Sequence, residues 1–354
     1  MARFIKTLKK TALAASIASL ATVANATIVT SIKPLGFIAS SIADGVTDTE
    51  VLVPAGASPH DYSLKPSDIQ KLQGAELILW VGEDIDAFLD KTLRPMPFKK
   101  VLSIADFAEI GGLLEGEAHD HKHEHDHDHK HDHDHKHDHE HKHEHDHKHD
   151  HAHKHDHAHK HDHDHKHNHE HKHDHAHGHD HDHSTNWHVW YSPEISKIVA
   201  TRLATRLTEA YPEKKEKIAQ NLAEFNRTLA EQSEKIKQQL APVKEKGFYV
   251  FHDAYSYFNN AYGLKQTGYF TINPLVAPGA KTLAKIKQEI KEHKVNCLFA
   301  EPQFTPKVIE SLSKGTGVHV GRLDPMGDAV KLGVNSYANF LQYTADSYFA
   351  CLSK

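Results

Sequence analysis

Ile28-Val29-Thr30-Ser31-Ile32, then Pro34 to Asp44, then Gly45, then Glu50-Val51-Leu52-Val53: this opening run decides the fold class. The first five residues read as a buried strand. Pro34 to Asp44 reads as a helix stopped by Gly45, and Glu50 to Val53 as a second strand ended by Pro54. The alternation continues. Ser67 is the expected N-cap of a run from Asp68 to Gln73, Gly74 ends that run, and Leu77-Ile78-Leu79-Trp80-Val81 gives a third strand. Strands alternating with helices build βαβ units on a parallel sheet. Short unbroken apolar runs suit strands covered on both faces. The expected class is α/β.

Working outward toward the N-terminus, residues 1–26 read as a signal peptide. Arg3, Lys6, Lys9 and Lys10 precede the weakly apolar run Thr11 to Val23, and Ala24-Asn25-Ala26 is an A-x-A cleavage signal. The run is too short to span a bilayer. The mature chain would begin at Thr27 in an exported compartment.

Toward the C-terminus, residues 119–183 interrupt the first βα series. Histidine stands at every second position there, 33 of the chain's 38. The residues between are mostly Asp, Lys and Glu, and none is an apolar residue larger than Ala. A strict period of two would put every imidazole on one face of a strand, but the tract has nothing to bury, so the expectation is one long disordered surface insertion. Imidazole is a common ligand for Zn²⁺, Ni²⁺ and Cu²⁺, so the composition reads as metal binding; the bland alternative is a spacer grown by repeat slippage. Nine Lys against eighteen carboxylates give the tract a net charge of −9, within a chain total of −6. With the four signal charges removed, the rest of the mature chain stands at −1. Such a balance carries no nucleic-acid footprint, and no Lys/Arg-rich amphipathic helix points to a membrane surface.

Beyond the tract, Ser192-Pro193-Glu194 opens a helix, with Ser as N-cap and Pro at the first helical position. Pro212 restarts it. Leu222, Phe225, Leu229, Ile236 and Leu240 then mark one stripe through a charged stretch that ends before Pro242. About 30 residues of helix would reach roughly 45 Å, enough to join two lobes; a coiled-coil arm is the alternative. A second βα series follows, with strands over Gly247–Phe251, Val295–Ala300 and Val318–Leu323. Its helices fall over Ala254–Tyr262, Ala280–His293, Thr305–Lys314 and Ser336–Cys351. The expected division is an N-terminal lobe over 27–212, a linking helix over 213–242 and a C-terminal lobe over 243–354.

Three of the five histidines outside the tract share a kind of position. His60 follows a strand, in Ser58-Pro59-His60-Asp61-Tyr62. His188 precedes the helix cap at Ser192, and His252 follows the strand ending at Phe251. Asp324 also follows a strand, in Leu323-Asp324-Pro325. Ligands of open α/β sheets bind outside the carboxyl ends of strands. Three imidazoles with a carboxylate or a water form a plausible tetrahedral Zn²⁺ site. The alternative for each is an ordinary satisfied polar residue. His293 reads as solvated on a charged helix face, and His319 as structural within a strand. Cys297 and Cys351 lack C-x-x-C spacing. In an exported chain they read as a disulfide, with two separate buried thiols as the alternative.

Four segments carry a resemblance: Ser58-Pro59-His60-Asp61-Tyr62, His188-Val189-Trp190-Tyr191-Ser192-Pro193, Phe251-His252-Asp253-Ala254-Tyr255 and Phe299-Ala300-Glu301-Pro302-Gln303-Phe304. With the acidic His-rich insertion and the paired cysteines, they resemble the ZnuA family, the periplasmic zinc-binding proteins of bacterial ABC uptake systems. The resemblance spans Thr27 to Lys354. It implies two Rossmann-like lobes bridged by a long rigid helix. It also implies Zn²⁺ held in the cleft by His60, His188 and His252, and a monomer that delivers its cargo to an ABC permease in the inner membrane. Related manganese binders carry a carboxylate where His252 stands, so a third imidazole favours zinc. Some ZnuA proteins place Glu directly before the first histidine. Here that residue is Pro59, which leaves Asp324, matching the family's C-terminal-lobe carboxylate, or a water as fourth ligand. A metallohydrolase would need an open metal position and a general base, and no H-E-x-x-H occurs. A metal store and a surface adhesin are further rivals.

Overall fold

A computed structural model describes residues 27–116, 185–304 and 307–354. The signal segment and the histidine tract lie outside the described residues. The first lobe begins with β1 (Thr27–Thr30), α1 (Lys33–Ile42), β2 (Asp48–Val51), α2 (Pro66–Gly74) and β3 (Leu77–Trp80). Two single-turn helices, α3 (Glu83–Asp86) and α4 (Asp90–Leu93), and β4 (Val101–Ser103) complete its sheet region. A two-stranded antiparallel stem, β5 (Glu115–Gly116) with β6 (Thr185–Asn186), follows. The long helices are α5 (Pro193–Ala210) and α6 (Lys215–Leu240). The second lobe holds β7 (Phe248–His252), α7 (Ser256–Tyr262), β8 (Gln266–Thr271), α8 (Ala280–Lys291), β9 (Cys297–Ala300), α9 (Lys307–Thr316), β10 (His319–Arg322) and α10 (Ser336–Leu352).

Both four-stranded sheets are parallel, ordered β2-β1-β3-β4 and β10-β9-β7-β8. Counted from its own first strand, each has the same order, 2-1-3-4. The order therefore reverses beside β1 in one lobe and beside β7 in the other, and such reversals open a crevice at the strands' carboxyl ends. In the first lobe this point is closed by Asp86. Its Oδ2 accepts from Ser31 Oγ and Val81 N, both at 2.8 Å, so the chain just past β1 is tied to the chain just past β3. Burial pushes the Asp86 carboxyl up to about 7.

One continuous core runs through both lobes, from Ile28 and Phe37 through Tyr191, Phe225 and Phe248 to Tyr348. Separate clusters cover the outer faces of the first and second sheets. Helix α6 buries Ile218, Phe225, Leu229, Ile236 and Leu240. At 26 residues it spans roughly 39 Å, and it packs on α1 and α10 as well as on α7. Asn221 of α6 donates to Ile42 O and Asp44 O at 2.9 and 2.8 Å, capping the end of α1. Cys297 and Cys351 are disulfide-bonded, joining β9 to α10.

Local expectations fared unevenly. Ser192 caps α5 as expected, its hydroxyl accepting from Ile195 N at 3.1 Å. Ser67 is not a cap. Pro66 suits the first helical position, so α2 begins before Ser67, and the Asp68 carboxylate accepts from Lys65 N at 2.9 Å. Strands β4 and β8 had no apolar run to announce them. The first has three residues, the second includes Gly268, and both lie at sheet edges. His293 is not on a helix face: it sits just past α8 with φ 58° and donates its N–H to Ile290 O. His319 starts the edge strand β10 and is exposed, because one flank of that strand has no neighbour.

Candidate metal centre

His60, His188 and His252 converge. Each offers a ring nitrogen, and the three atoms lie within 4.8 Å of one another. Among the described residues no other group of three or more His, Cys, Asp or Glu side chains gathers this way. The trio comes from three turns. His60 is on the loop after β2, its backbone N–H donating to Ser58 Oγ at 3.3 Å. His188 follows the stem strand β6, and His252 is the last residue of β7. His252 thus stands at the crevice of the second sheet, where strand order reverses.

Two of the rings are fixed by acceptors on their far nitrogens. Nδ1 of His252 meets both oxygens of Glu301 at 2.8 Å. Nδ1 of His188 meets Asn186 Oδ1 at 2.7 Å. A carboxylate and an amide oxygen only accept, so both Nδ1 atoms carry a proton and the two Nε2 atoms are left to face the shared point. Those Nε2 atoms face each other at 3.2 Å. At that distance the two nitrogens can share one cation, a proton in an N–H···N bond or a metal ion. For Zn–N bonds of 2.0–2.1 Å the edge of a tetrahedron is about 3.3–3.4 Å, close to what the two rings already hold.

Burial favours the neutral, ligating form. It lowers the His60 pKa to about 4, with help from His252. His188 is held well below its ordinary value by burial first and then by the other two imidazoles. The rings enclose a cavity of about 10 Å³ walled by Pro59, Trp190, Phe304 and Met326. That volume admits about one water-sized sphere, which suits a single ion. On the other side of His60 an open recess of about 490 Å³, lined by Tyr62, Asp84 and Phe88, borders the same ring.

Asp324 is not part of the gathered set. Its Oδ1 accepts from Gln303 Nε2 at 2.8 Å and from Met326 N at 3.0 Å, and its Oδ2 accepts from Asp328 N at 2.7 Å. It pins the loop that follows β10. That loop crosses to the first lobe: Asp328 Oδ2 accepts from Gly56 N at 2.6 Å, and Lys33 Nζ donates to Asp328 O at 2.7 Å. Gly327 lets it pass, because a Cβ there would meet the Phe340 ring at 2.6 Å and its φ is +62°. Pro59 contributes only to the cavity wall.

Sequence reasoning overlooked Glu301 and Asn186. Glu301 follows β9 as Asp324 follows β10, so the strand-end rule that selected one applied to both. Buried Glu301 also accepts from Tyr255 Oη at 3.0 Å. Asn186 stands two residues before His188, a spacing at which an Asn side chain commonly bonds the chain ahead of it.

The family model of the periplasmic zinc-uptake complex component A, ZnuA, matches residues 28–351. The chain belongs to the ZnuA family. A ZnuA relative from Haemophilus influenzae, a high-affinity zinc uptake system protein, is 67% identical over 349 residues, covering 99% of both chains. One from Haemophilus ducreyi is 52% identical, covering 98% of this chain and 99% of its own. A crystal structure of a ZnuA protein superposes with a TM-score of 0.65 at 22% identity, covering 92% of this chain and 98% of that one. At that identity it speaks for the two-lobed ZnuA fold alone.

Proposed function

We propose that this protein captures Zn²⁺ with high affinity in the cleft between its lobes and hands it to an ABC permease in the inner membrane. It works in the periplasm after loss of residues 1–26, as a monomer and without catalysing a reaction. The lobes are 27–212 and 243–354, linked by the helix over 213–242. His60, His188 and His252 are the ligands. The fourth position is taken by Asp324 or by a water, and the bonds already made by Asp324 favour the water. The tract over 119–183 is an auxiliary, weaker collector of the same ion.

The observation that carries this reading is the pair of Nε2 atoms 3.2 Å apart, with both Nδ1 atoms committed to acceptors elsewhere and a third imidazole beside them. Such a pair is set to share one cation. Three imidazoles without a carboxylate among them suit Zn²⁺ better than Mn²⁺ or Mg²⁺.

The test is a metal-bound structure of the mature protein with zinc titration beside it. One tight site should appear, with the three ring nitrogens about 2.0–2.1 Å from the ion. A tight zinc site elsewhere, or a full-affinity site in His188→Ala, would overturn the reading. Transport should fail when the permease is present and His188→Ala replaces the wild type; unimpaired zinc uptake by that strain would exclude a role in delivery.

A further inference from the structure

The stem that carries the tract is fastened to the metal centre. Strand β5 pairs with β6 through Glu115 with Asn186 and Gly116 with Thr185. Asn186 is only 2% exposed, and its amide is fully used. Oδ1 accepts from the backbone N–H of His188 at 3.1 Å and from its Nδ1 at 2.7 Å. Nδ2 donates to Asp253 O at 2.9 Å and to Ser256 Oγ at 3.3 Å. Asp253 directly follows His252. One residue therefore touches the ring of one metal-site histidine and the chain beside another.

Tyr257 of α7 completes the link. Its hydroxyl donates to Asn186 O at 2.6 Å and accepts from Glu115 N at 3.0 Å, so a single oxygen holds both strands of the stem. Asn260 Nδ2 adds a bond to Glu115 Oε1 at 2.8 Å. A loop that merely had to leave the surface would need none of these bonds. Here both ends of the insertion are bolted to the helix that follows β7.

We propose that Asn186 and Tyr257 are positioning residues that make the root of the tract part of the cleft. Asn186 holds His188 in the tautomer that leaves Nε2 for the ion. Tyr257 clamps the stem to the second lobe, so the stem travels with α7 and the ion leaves only when the clamp opens. This rests on reading His188 as a ligand. It adds that the two-residue stem, and not the length of tract hung from it, belongs to the site. Loss of a partner that orients a ligating histidine typically lowers metal affinity about 10–100-fold.

The experiment compares the full mature chain with Asn186→Leu, Asn186→Asp, Tyr257→Phe and His188→Ala. It reads zinc affinity by chelator competition, zinc release by rapid mixing with excess chelator, and the visible absorption of bound Co²⁺. Asn186→Leu should weaken tight binding about tenfold or more and alter the Co²⁺ spectrum. Asn186→Asp, which keeps an acceptor on Nδ1, should restore the spectrum. Tyr257→Phe cannot touch the ring, so it should keep the wild-type Co²⁺ spectrum while zinc leaves several times faster. Wild-type affinity and spectrum in Asn186→Leu would overturn the role of Asn186, and an unchanged release rate in Tyr257→Phe would overturn the clamp. If Asn186→Leu does not fold, the spectrum of Asn186→Asp decides: an altered one overturns the positioning role. Wild-type affinity in His188→Ala would instead remove the site on which the inference rests.

Discussion

In the cleft, His188 and His252 are buried, each with one nitrogen committed to a neighbour and the other aimed at a common point. In the tract, thirty-three imidazoles alternate mostly with Asp, Lys and Glu, and no apolar residue larger than Ala stands among them. The side chain is the same; what differs is the sequence around it, since the cleft histidines have buried partners and the tract has no large apolar residue to build such a setting. A preorganised site has already lost the rotamer freedom that binding would otherwise remove, so each tract site should be weaker than the cleft. Number works the other way, since many weak sites raise the local concentration of ion beside the strong one. Protons also treat the two differently. Burial holds His60 near 4 and His188 well below its usual range, whereas solvated imidazoles titrate near about 6.5.

The sharpest break between the two regions comes from His252→Ala. Structural zinc sites of four ligands bind with about 10–16 kcal/mol, so one ligand is worth on the order of 10²–10³ in affinity. Calorimetry should show the tight isotherm gone and the weak ones intact; tight binding that persists would mean the three histidines do not form the site.

Next in size is an effect on the metal-free fold. The His60 pKa is lower in the folded chain than in the unfolded one, so below about 6.5 the unfolded chain binds more protons and stability falls as pH drops toward 4. From pH 7 to 4 His60 alone should remove about 3 kcal/mol. Urea melts of wild type and His60→Gln at both pH values check this. The wild type should lose more, and equal losses would contradict it. The tract should contribute nothing to the difference.

Removal of residues 119–183, with the stem kept, should leave the tight site at wild-type affinity and abolish the weaker ones. At pH 5.5 the intact protein should behave like the deletion. Full protonation would swing the tract from about −9 to about +24, turning attraction for Zn²⁺ into repulsion. Weak sites undiminished at pH 5.5, or a tight site lost with the tract, would refute the division of labour.

The smallest change is expected for Asp324→Ala. Its carboxylate braces the loop after β10 through Gln303, Met326 and Asp328, so affinity should drop only several-fold, less than in His252→Ala. A loss as large as that of His252→Ala would make Asp324 a ligand of equal weight.

The comparison also explains what the sequence could and could not reveal. β3 and β9 are unbroken apolar runs, and β1 and β7 carry apolar centres, because both faces of these strands are buried, and that burial is written in residue type. β4 and β8 are edge strands whose identity depends on a neighbour's backbone, so no local pattern records them. The three site histidines were legible because position at a strand end is a consequence of topology, and the alternation of strands and helices discloses topology. Their partners were harder to see. Asn186 and Glu301 act through contacts that exist only once His188 and His252 are in place. Nothing in the spacing of Asp324 discloses that both its oxygens are already engaged.

Helix α10 has a consequence for the order in which the chain can fold. Ser336 Oγ donates to Phe37 O at 3.1 Å across 299 residues of sequence, and Phe37 stacks near Phe340 at 5.3 Å. Helix α1 therefore completes its packing against α10. A nascent N-terminal half lacks one wall of its core until Leu352 has emerged, and contacts of such long range are slow to form. The N-terminal lobe therefore does not complete its core from its own residues: one wall of it is lent by a helix of the other lobe.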